Sequence, residues 1–371
     1  VKDVGGGFGA KGMISEEEVI VGQLSRLVGR PVRWVESRTE NLSAYVHGRA
    51  QAQTVTVGGT RDGGVTHYRL DVVQDCGAYP KYGAFLPEFT RQLASGVYDI
   101  ANLEFSAVSL ATNTAPTCAY RGAGRPEATA AIERAMDLFA AEIGMDATEV
   151  RRTNLLAPDA FPYTTPTGTS MDSGDYEGSL DRALAAADYA GLRAEQQRRR
   201  ETGDPVQMGI GVATYVEITG FGGSEYGEVR LRSDGTVLAS TGATPIGTGH
   251  HTTWAMIVAD RLGVPLDSIE VFHGDTEVIP SGSTTGGSRS VQIAGSAMAD
   301  ASEKLVDLAR EAAADLLEAA PGDVVLDRER GAFHVAGTPS VARSWVEIAT
   351  AADEELAGLS DHSQDGATFP F

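Results

Sequence analysis

The chain has 371 residues, 42% of them apolar, and a formal net charge of −21, a length and composition that predict two or three domains with packed cores. The acidic balance argues against nucleic acid or an anionic membrane surface as a partner, and no apolar stretch is long enough to insert into a membrane. Cys76 and Cys118 are too few for an iron–sulfur cluster, which takes about four thiolates, and they predict a reduced, cytoplasmic setting.

The chain begins with a glycine cluster, "VKDVGGGFGAKG", which a predicted helix from Ser15 to Gly29 follows. Ser15 is a suitable N-cap, three glutamates complement the helix dipole, and the final glycine is followed closely by proline. The next segment, "PVRWVES", is predicted to be a strand. The alternating residues from Ala52 to Tyr79 predict a long hairpin that turns at Asp62-Gly63.

Another alternating strand, "LEFSAVSLATNT", precedes an amphipathic helix that opens at Pro126 and closes at Gly144. The predicted apolar face of that helix comprises Ile132, Met136, Phe139 and Ile143. From Ala157 to Tyr176 the chain is rich in Pro, Thr, Asp and Gly, which predicts a domain boundary. A polar, arginine-rich helix over about Tyr176 to Thr202 is predicted to connect the two domains.

A second mixed unit begins at Met208. Its predicted elements are the strands "GIGVATYVEI", "GEVRLR" and "TVLAST", a helix ending at Leu262, the strand "SIEVFHG", and a long helix. Leu305, Leu308, Ala312 and Leu316 are predicted to share one face of that long helix. The sequence stops at Phe371 within "DGATFPF", which is interpreted as the middle of a further element.

Hairpins mixed with helices favour the α+β class over a βαβ repeat. The predicted organisation is two mixed α/β domains with antiparallel hairpins, over residues 1–157 and 208–371. Residues 158–207 are predicted to be a linker with a connecting helix, and the second domain is interpreted as incomplete.

The segment from Gly7 to Gly12 matches the dinucleotide pattern G-x-G-x-x-G, and Glu36 stands where a ribose-binding acid is expected. A P-loop is excluded because Ala10 and Gly12 occupy positions that require glycine and a hydroxyl residue. A tight strand-to-helix turn is a simpler alternative, but it does not need three consecutive glycines. Phe8 favours a third interpretation, in which main chain approaches a flat ligand and one ring closes the pocket wall.

A second loop, Arg121-Gly122-Ala123-Gly124-Arg125, lies between a predicted strand and a predicted helix. Two guanidinium groups near a helix N-terminus suit an anion or a polar ligand. The alternative is a glycine turn with solvated arginines.

Two further loops each precede a predicted helix: Gly247-Thr248-Gly249-His250, and Ser288-Arg289-Ser290. Hydroxyl groups, an arginine fork and helix-terminal amides together suit a phosphate or pyrophosphate. His250 and the adjacent His251 lack a third ligand, so they are predicted to form hydrogen bonds rather than to bind a metal.

Six segments, "GGGFGAK", "DCGAY", "TNTAPTCAYRGAGRPE", "GTGHHTT", "GDT" and "GGSRS", occur in this order across nearly the whole chain. Together they resemble the molybdopterin-binding large subunit of the xanthine dehydrogenase, aldehyde oxidase and carbon monoxide dehydrogenase family. The resemblance implies molybdenum held by the dithiolene of a pterin dinucleotide, usually molybdopterin cytosine dinucleotide in bacterial members. No protein side chain is therefore expected to bind the metal.

The resemblance also implies which residues contact this cofactor. Gly6, Gly7, Phe8 and Gly9 would approach the molybdenum and its oxo group, and Arg121, Gly122 and Ala123 would flank the metal. The pterin and its pyrophosphate would be held by Gly247, Thr248, Gly249 and His250 together with Ser288, Arg289 and Ser290.

Departures from the family pattern narrow the implied substrate. Carbon monoxide dehydrogenases carry a copper-holding cysteine where this chain has Gly122, so carbon monoxide oxidation is not expected. Xanthine-oxidising members have glutamate at the position of Gly12 and phenylalanine at that of Ala123, so purine hydroxylation loses two supports. The resemblance then implies hydroxylation of an aldehyde or a heterocyclic C–H in an open pocket. Thr248 replaces the family glutamine, which puts one cofactor contact in doubt.

The family reaction takes its oxygen from water and uses a glutamate as general base. That glutamate is expected beyond Phe371, so no catalytic residue is assigned, and the chain is interpreted as a piece that lacks both ends. The resemblance also implies that the two electrons released by the reaction pass to an iron–sulfur subunit and an FAD subunit. The implied assembly is a dimer of heterotrimers, and the implied substrate is a small molecule.

Two other functions stay open at this point. A truncated chain without its general base could be a non-catalytic cofactor-binding module. The match from Gly7 to Gly12, with Glu36, leaves a nicotinamide-dependent dehydrogenase as the other alternative.

Overall fold

The structure, a computed structural model, describes residues 4–283 and 285–364. The chain forms two compact units. The first unit comprises residues 7–217, and the second comprises residues 4–6 together with the described residues from 218 onward. The polar segment 158–207 groups with the first unit, while the domain limits at 157 and 208 stay a prediction. The interpreted final element "DGATFPF" lies outside the described residues.

The first unit contains seven α-helices and five strands within its described residues. The helices are α1 (Glu16–Val28), α2 (Arg38–Ala44), α3 (Leu86–Gln92), α4 (Arg125–Ile143), α5 (Ala147–Asn154), α6 (Tyr176–Ala186) and α7 (Tyr189–Thr202). The strands are β1 (Gln51–Gly59), β2 (Val65–Asp75), β3 (Asn102–Leu110), β4 (Tyr163–Thr164) and β5 (Ser170–Met171).

The predicted hairpin is confirmed as the antiparallel pair β1–β2, and β3 joins the other edge of β2 in parallel. Alternate residues of β2, among them Tyr68 and Leu70, are buried because successive side chains of a strand point to opposite faces. Helix α4 packs on β1, where Gly59 leaves room for the Phe139 ring. The predicted apolar face of α4 is confirmed at Ile132, Met136 and Phe139, whereas Ile143 at the helix end is only half-buried.

Three predictions for this unit are wrong. Residues 31–37 and 209–218 form no strand, since neither segment has a ladder partner among the described residues and a strand exists only through pairing. The arginine-rich helix is two helices, because Asp188 adopts a left-handed conformation between them (φ 49°) and its carboxylate accepts the Gly191 N–H to cap α7.

The second unit is built on a four-stranded sheet and a long helix. Its elements are β6 (Gly223–Leu231), β7 (Val237–Thr241), α8 (His250–Leu262), β8 (Ile269–Phe272), α9 (Arg289–Leu317), β9 (Val324–Asp327), β10 (Ala332–Val335), β11 (Ala342–Ser344), α10 (Trp345–Ala351) and β12 (Ala357–Gln364). The sheet order is β12-β6-β7-β8, with β7 and β8 parallel, and a small sheet β11-β10-β9 lies apart from it.

Helix α9 packs across β6 and β12 and presents an alanine-rich face to the sheet. Leu305 is buried as predicted, but Leu308 is 38% exposed, because small residues such as Ala297 and Ala301 occupy the face that meets the sheet. Within each unit an antiparallel hairpin is followed by a parallel strand, so the predicted α+β class is confirmed with mixed sheets. Among the helices described, none is both long and apolar enough to cross a membrane.

Candidate functional site

Two of the predicted loops lie against each other in the first unit. The Arg121 N–H donates to the Phe8 carbonyl oxygen at 2.8 Å. A Cβ on Gly9 would lie 2.4 Å from the Ala119 carbonyl oxygen, so only glycine permits this approach. Phe8 has a φ of 53° and its side chain is 54% exposed. The structure therefore brings the glycine loop and the arginine loop together through main-chain contacts.

The arginine loop ends in three consecutive residues of positive φ: Gly122 (93°), Ala123 (37°) and Gly124 (85°). Gly124 is the N-cap of α4, and no described side chain caps this helix. The two arginines of the loop differ, since Arg121 is exposed whereas Arg125 is buried and pairs with Glu217 at 2.6 Å. Of the two guanidinium groups predicted to face one ligand, only that of Arg121 is therefore exposed.

The Gly247–His250 loop and Gly6 meet in the second unit. A Cβ on Gly247 would lie 1.7 Å from the Val4 carbonyl oxygen and 3.2 Å from the Gly6 nitrogen. Gly249 begins α8 in a left-handed conformation, and this N-terminus has no side-chain cap from the described residues. Main-chain N–H groups at such a helix end are suited to bind an anion.

The polar side chains of this loop are paired locally. The Thr248 hydroxyl lies 2.9 Å from His250 Nδ1, and the His250 ring stacks on Trp254 with centroids 5.1 Å apart. Burial lowers the pKa of His250, which favours the neutral ring beside the positive end of the helix dipole. The loop therefore offers main-chain donors rather than a charged side chain.

The second loop of this unit precedes α9, with Ser288 as a left-handed N-cap (φ 58°) and no capping side chain among the described residues. The Arg289 guanidinium donates to the Ser283 hydroxyl and, at 3.1 Å, to the Ser224 carbonyl oxygen. Trp254 Nε1 donates to the Ser290 carbonyl oxygen at 3.0 Å, which holds the first turns of α8 and α9 side by side. Two uncapped helix N-termini and one arginine therefore lie in the same part of the second unit.

A buried carboxyl group lies beneath these loops. Glu225 on β6 is 2% exposed, and its Oε2 accepts the Ser283 N–H at 3.3 Å. Its other oxygen, Oε1, has no hydrogen-bond partner among the described residues. Burial raises the pKa of Glu225, and the Ser283 N–H and the nearby Arg289 charge only partly offset that effect.

We expect the melting temperature of the Glu225→Gln variant, measured relative to that of the wild type, to become higher as the pH increases. Because the pKa of Glu225 is higher in the folded state than in the unfolded state, its contribution to stability is present at low pH and is lost as the pH rises through the folded pKa. Glutamine does not titrate. The difference between the E225Q and wild-type melting temperatures should grow by a few degrees between acidic and neutral pH, roughly 2–4 °C per kcal/mol in a domain of this size.

Glu347 in the same unit provides the matched control, because the Ser344 N–H and hydroxyl hold the pKa of its carboxyl below the usual value. Its contribution is present at neutral pH and is lost on acidification, so Glu347→Gln should show the opposite trend. Parallel trends in the two variants would contradict the assignment of Glu225 as the raised group.

The dinucleotide interpretation of Gly7–Gly12 is wrong. The strand that should carry Glu36 is absent from residues 31–37, and the Glu36 carboxylate accepts a hydrogen bond from Asn41 Nδ2 at 2.8 Å. The described residues contain no group of three or more His, Cys, Asp or Glu side chains that could hold a metal ion. His251 instead lies 2.7 Å, Nε2 to Nε2, from His273.

Two polar residues that contact the candidate loops were not anticipated from the sequence. Glu225 lies in an alternating strand where nothing marks it as buried, and Arg49 in "HGRAQ" lacks any recognisable motif. Only the contacts with Ser283 and with the Tyr120–Arg121 main chain reveal them. Glu127, the ion-pair partner of Arg49, does lie within one of the quoted segments.

Comparison with known proteins gives a consistent result. Residues 1–155 and residues 182–367 each match a family model described as a molybdopterin cofactor-binding domain. The carbon monoxide dehydrogenase large chain of Hydrogenophaga pseudoflava is 39% identical over 363 residues, which cover 94% of this chain and 45% of that protein.

Two further relatives carry different names. The nicotine 6-hydroxylase large subunit of Paenarthrobacter nicotinovorans is 33% identical over 365 residues, covering 94% of this chain and 44% of that protein. The crystal structure of quinoline 2-oxidoreductase from Pseudomonas putida 86 superposes with a TM-score of 0.90 at 30% identity, covering 98% of this chain and 49% of that one. The chain thus spans about half the length of the curated relatives it matches.

Proposed function

The chain belongs to the molybdopterin-binding large-subunit family of xanthine dehydrogenases, aldehyde oxidases and carbon monoxide dehydrogenases, and from that premise we propose that it forms part of the catalytic subunit of a molybdenum hydroxylase. The proposed reaction converts a substrate C–H and water into C–OH, with release of two protons and two electrons. The bound molybdenum cofactor supplies the two-electron oxidation.

One observation carries this proposal: the hydrogen bond from the Arg121 N–H to the Phe8 carbonyl oxygen. It joins the two motifs that family resemblance assigns to the reactive end of the cofactor. Phe8 and Arg121 are both exposed in the first unit, so an apolar ring and a cation are available to a ligand on this surface. Their roles are to enclose the substrate and to stabilise negative charge that develops during the reaction.

The second unit fits the phosphate-bearing part of a pterin dinucleotide. No side chain of the described residues caps the N-terminus of α8 or α9, and anions bind such helix ends. Ser288, Arg289 and Ser290 add hydroxyl groups and a guanidinium for the pyrophosphate. Thr248 would contact the cofactor through its main chain, since its hydroxyl is hydrogen-bonded to His250. We assign the cytosine dinucleotide form from family resemblance.

The proposed substrate is an organic molecule, an aldehyde or a heterocycle, rather than carbon monoxide. At Gly122 the main chain has a φ of 93°, and a Cβ would lie 2.6 and 2.7 Å from ring carbons of Pro126. This position has no thiol for copper, and its backbone disfavours any side chain. Ala123 beside it is small, which leaves room for a ring such as those in the names of the nicotine and quinoline relatives.

The proposed partners are an iron–sulfur subunit and an FAD subunit, in a dimer of heterotrimers in the cytoplasm. Electrons released at the cofactor need a relay, and the two cysteines of this chain, Cys76 and Cys118, are both buried and unbridged. They cannot form a cluster site that takes about four thiolates. We therefore propose that separate subunits carry the relay.

Metal and nucleotide analysis of the purified full-length protein tests the proposal. We expect molybdenum equimolar with the large subunit, release of a cytosine nucleotide on acid hydrolysis, and incorporation of oxygen from isotopically labelled water into a hydroxylated product. Protein expressed in a host that cannot make molybdopterin is the control and should lack all three. Absence of molybdenum from protein made in a competent host would overturn the proposal.

A further inference from the structure

Arg49 binds the main chain of the arginine loop from outside the motif. Its Nη1 donates to the Tyr120 carbonyl oxygen at 3.0 Å, and its Nη2 donates to the Arg121 carbonyl oxygen at 2.7 Å. The guanidinium carbon lies 4.9 Å from the centroid of the Tyr120 ring. One planar group therefore holds two consecutive carbonyl oxygens, an arrangement that the forked geometry of arginine allows.

The same guanidinium compensates a buried charge. Nη1 lies 3.2 Å from Glu127 Oε2, and the Glu127 side chain is only 6% exposed in the first turn of α4. Arg49 itself is 35% exposed. Since α4 begins directly after the loop, the ion pair also ties the loop to the start of the helix.

The main chain around Arg49 is also fixed by contacts, and it adopts an unusual backbone conformation. Arg49 and Ala50 both have positive φ, 68° and 60°, which is unfavourable for residues other than glycine. The Arg49 carbonyl oxygen accepts from Gln74 Nε2 at 3.1 Å, and a Cβ on Gly48 would lie 2.2 Å from the Tyr120 Cβ. Two adjacent strained residues persist only where surrounding contacts over-determine them, and such strain concentrates at functional sites.

The main chain of Arg121 is consequently fixed on both sides. Its N–H is bound by the Phe8 carbonyl oxygen, and its carbonyl oxygen is bound by Arg49, while its side chain stays exposed. We propose that Arg49 is a positioning residue, which holds the Tyr120–Arg121 main chain so that the Arg121 side chain and the Gly122–Gly124 turn face the cofactor and substrate. This inference rests on the proposed function of the Arg121 loop.

Arg49→Lys tests the proposal in the full-length protein. Lysine keeps the positive charge beside Glu127 but cannot bind two carbonyl oxygens with a rigid fork. We expect amide hydrogen exchange in residues 119–125 to become about tenfold faster, with the rest of α4 unchanged. In the assembled enzyme we expect kcat to fall about tenfold, while KM, molybdenum content and melting temperature stay near the wild-type values.

Two further variants separate the fork from the charge. Arg69 is an exposed arginine that pairs with Asp71 and Glu104 on the β1–β2–β3 sheet. Arg69→Lys should therefore leave both kcat and amide exchange in residues 119–125 unchanged. Glu127→Gln removes the charge but leaves both carbonyl contacts of Arg49, so it should accelerate exchange in residues 119–125 much less than R49K does. If R49K is too unstable to purify, the exchange rate of E127Q tests the proposal instead. Exchange in residues 119–125 as fast as in a disordered loop would show that the Arg49–Glu127 ion pair, and not the two carbonyl contacts, holds these residues.

The outcomes distinguish the two levels of inference. Unchanged exchange in residues 119–125 of R49K, or a fall in kcat that merely follows a loss of molybdenum and melting temperature, would overturn the positioning role. Absence of molybdenum from the wild-type protein would instead overturn the proposed function, and the exchange comparison would still decide whether Arg49 holds the loop.

Discussion

Replacing Gly247 with alanine is expected to destabilise the second unit by roughly 2–6 kcal/mol. A left-handed or similarly rare conformation costs a non-glycine residue about 1–3 kcal/mol, and Gly247 has a φ of 86°. The new methyl group would also lie 1.7 Å from the Val4 carbonyl oxygen, a main-chain atom that cannot rotate away. Relieving such a clash typically costs a further 1–3 kcal/mol, roughly. Urea unfolding followed by the fluorescence of Trp254 and Trp345, both buried in this unit, would measure the change.

Gly249, two residues further on, is the matched control for this prediction. Its φ is 75°, but no described atom lies within 4 Å of the position that a Cβ would take. Gly249→Ala should therefore cost only the conformational term, about 1–2 kcal/mol. Equal losses in the two variants would show that the contact with Val4 does not matter. We also expect G247A to lose much of its bound molybdenum, since the displaced segment carries Gly6.

Arg151→Met is expected to destabilise the first unit by about 3–5 kcal/mol, the usual cost of leaving a buried charge without its partner. Arg151 is fully buried and donates to Glu133 Oε2 at 2.8 Å, to the Glu133 carbonyl oxygen at 3.1 Å and to the Ala147 carbonyl oxygen at 3.0 Å. Glu133 is also buried, and it accepts the Tyr98 hydroxyl at 2.5 Å. Burial raises the pKa of Tyr98, which keeps that hydroxyl protonated as a donor.

Urea unfolding followed by helical circular dichroism would measure this loss, and two companion variants make the result specific. Arg134→Met removes an exposed guanidinium 4.0 Å from Asp137 and should change stability by less than about 1 kcal/mol. The double variant E133Q with R151M should recover part of the loss, because a neutral amide needs no counter-charge. If R151M were no worse than R134M, the buried network would not be the stabilising feature that the contacts indicate.

Local patterns predicted the regular elements well. The β1–β2 hairpin, the apolar face of α4 and the ends of α1 at Ser15 and Gly29 follow from alternation, helical periodicity and capping chemistry, which act between residues close in sequence. The predictions failed where pairing decides the outcome. Residues 31–37 have the composition of a strand but no partner, and β3 pairs in parallel with β2 through a crossover that no local signal indicates.

The candidate site shows the same division. The glycine, arginine and helix-start motifs could be identified from the sequence, because each is a contiguous set of residue types with a known chemical preference. Arg49, Glu225 and the buried pair of Arg151 and Glu133 could not, since burial and charge pairing depend on residues far apart in the chain. For the same reason the sequence could not show that Arg125 pairs with Glu217, which leaves Arg121 as the exposed arginine of that loop.

By itself the sequence determined the family and the α+β class, because motif order and hydrophobic periodicity are written along the chain. It also indicated that bare main chain is needed at Gly9, Gly122 and Gly247. Only the tertiary structure decided what lies beside those glycines: the Ala119 carbonyl oxygen, the Pro126 ring and the Val4 carbonyl oxygen. The physical reason is that a missing side chain shows where close packing is required, whereas the neighbouring atom is set by the folding of distant segments against each other.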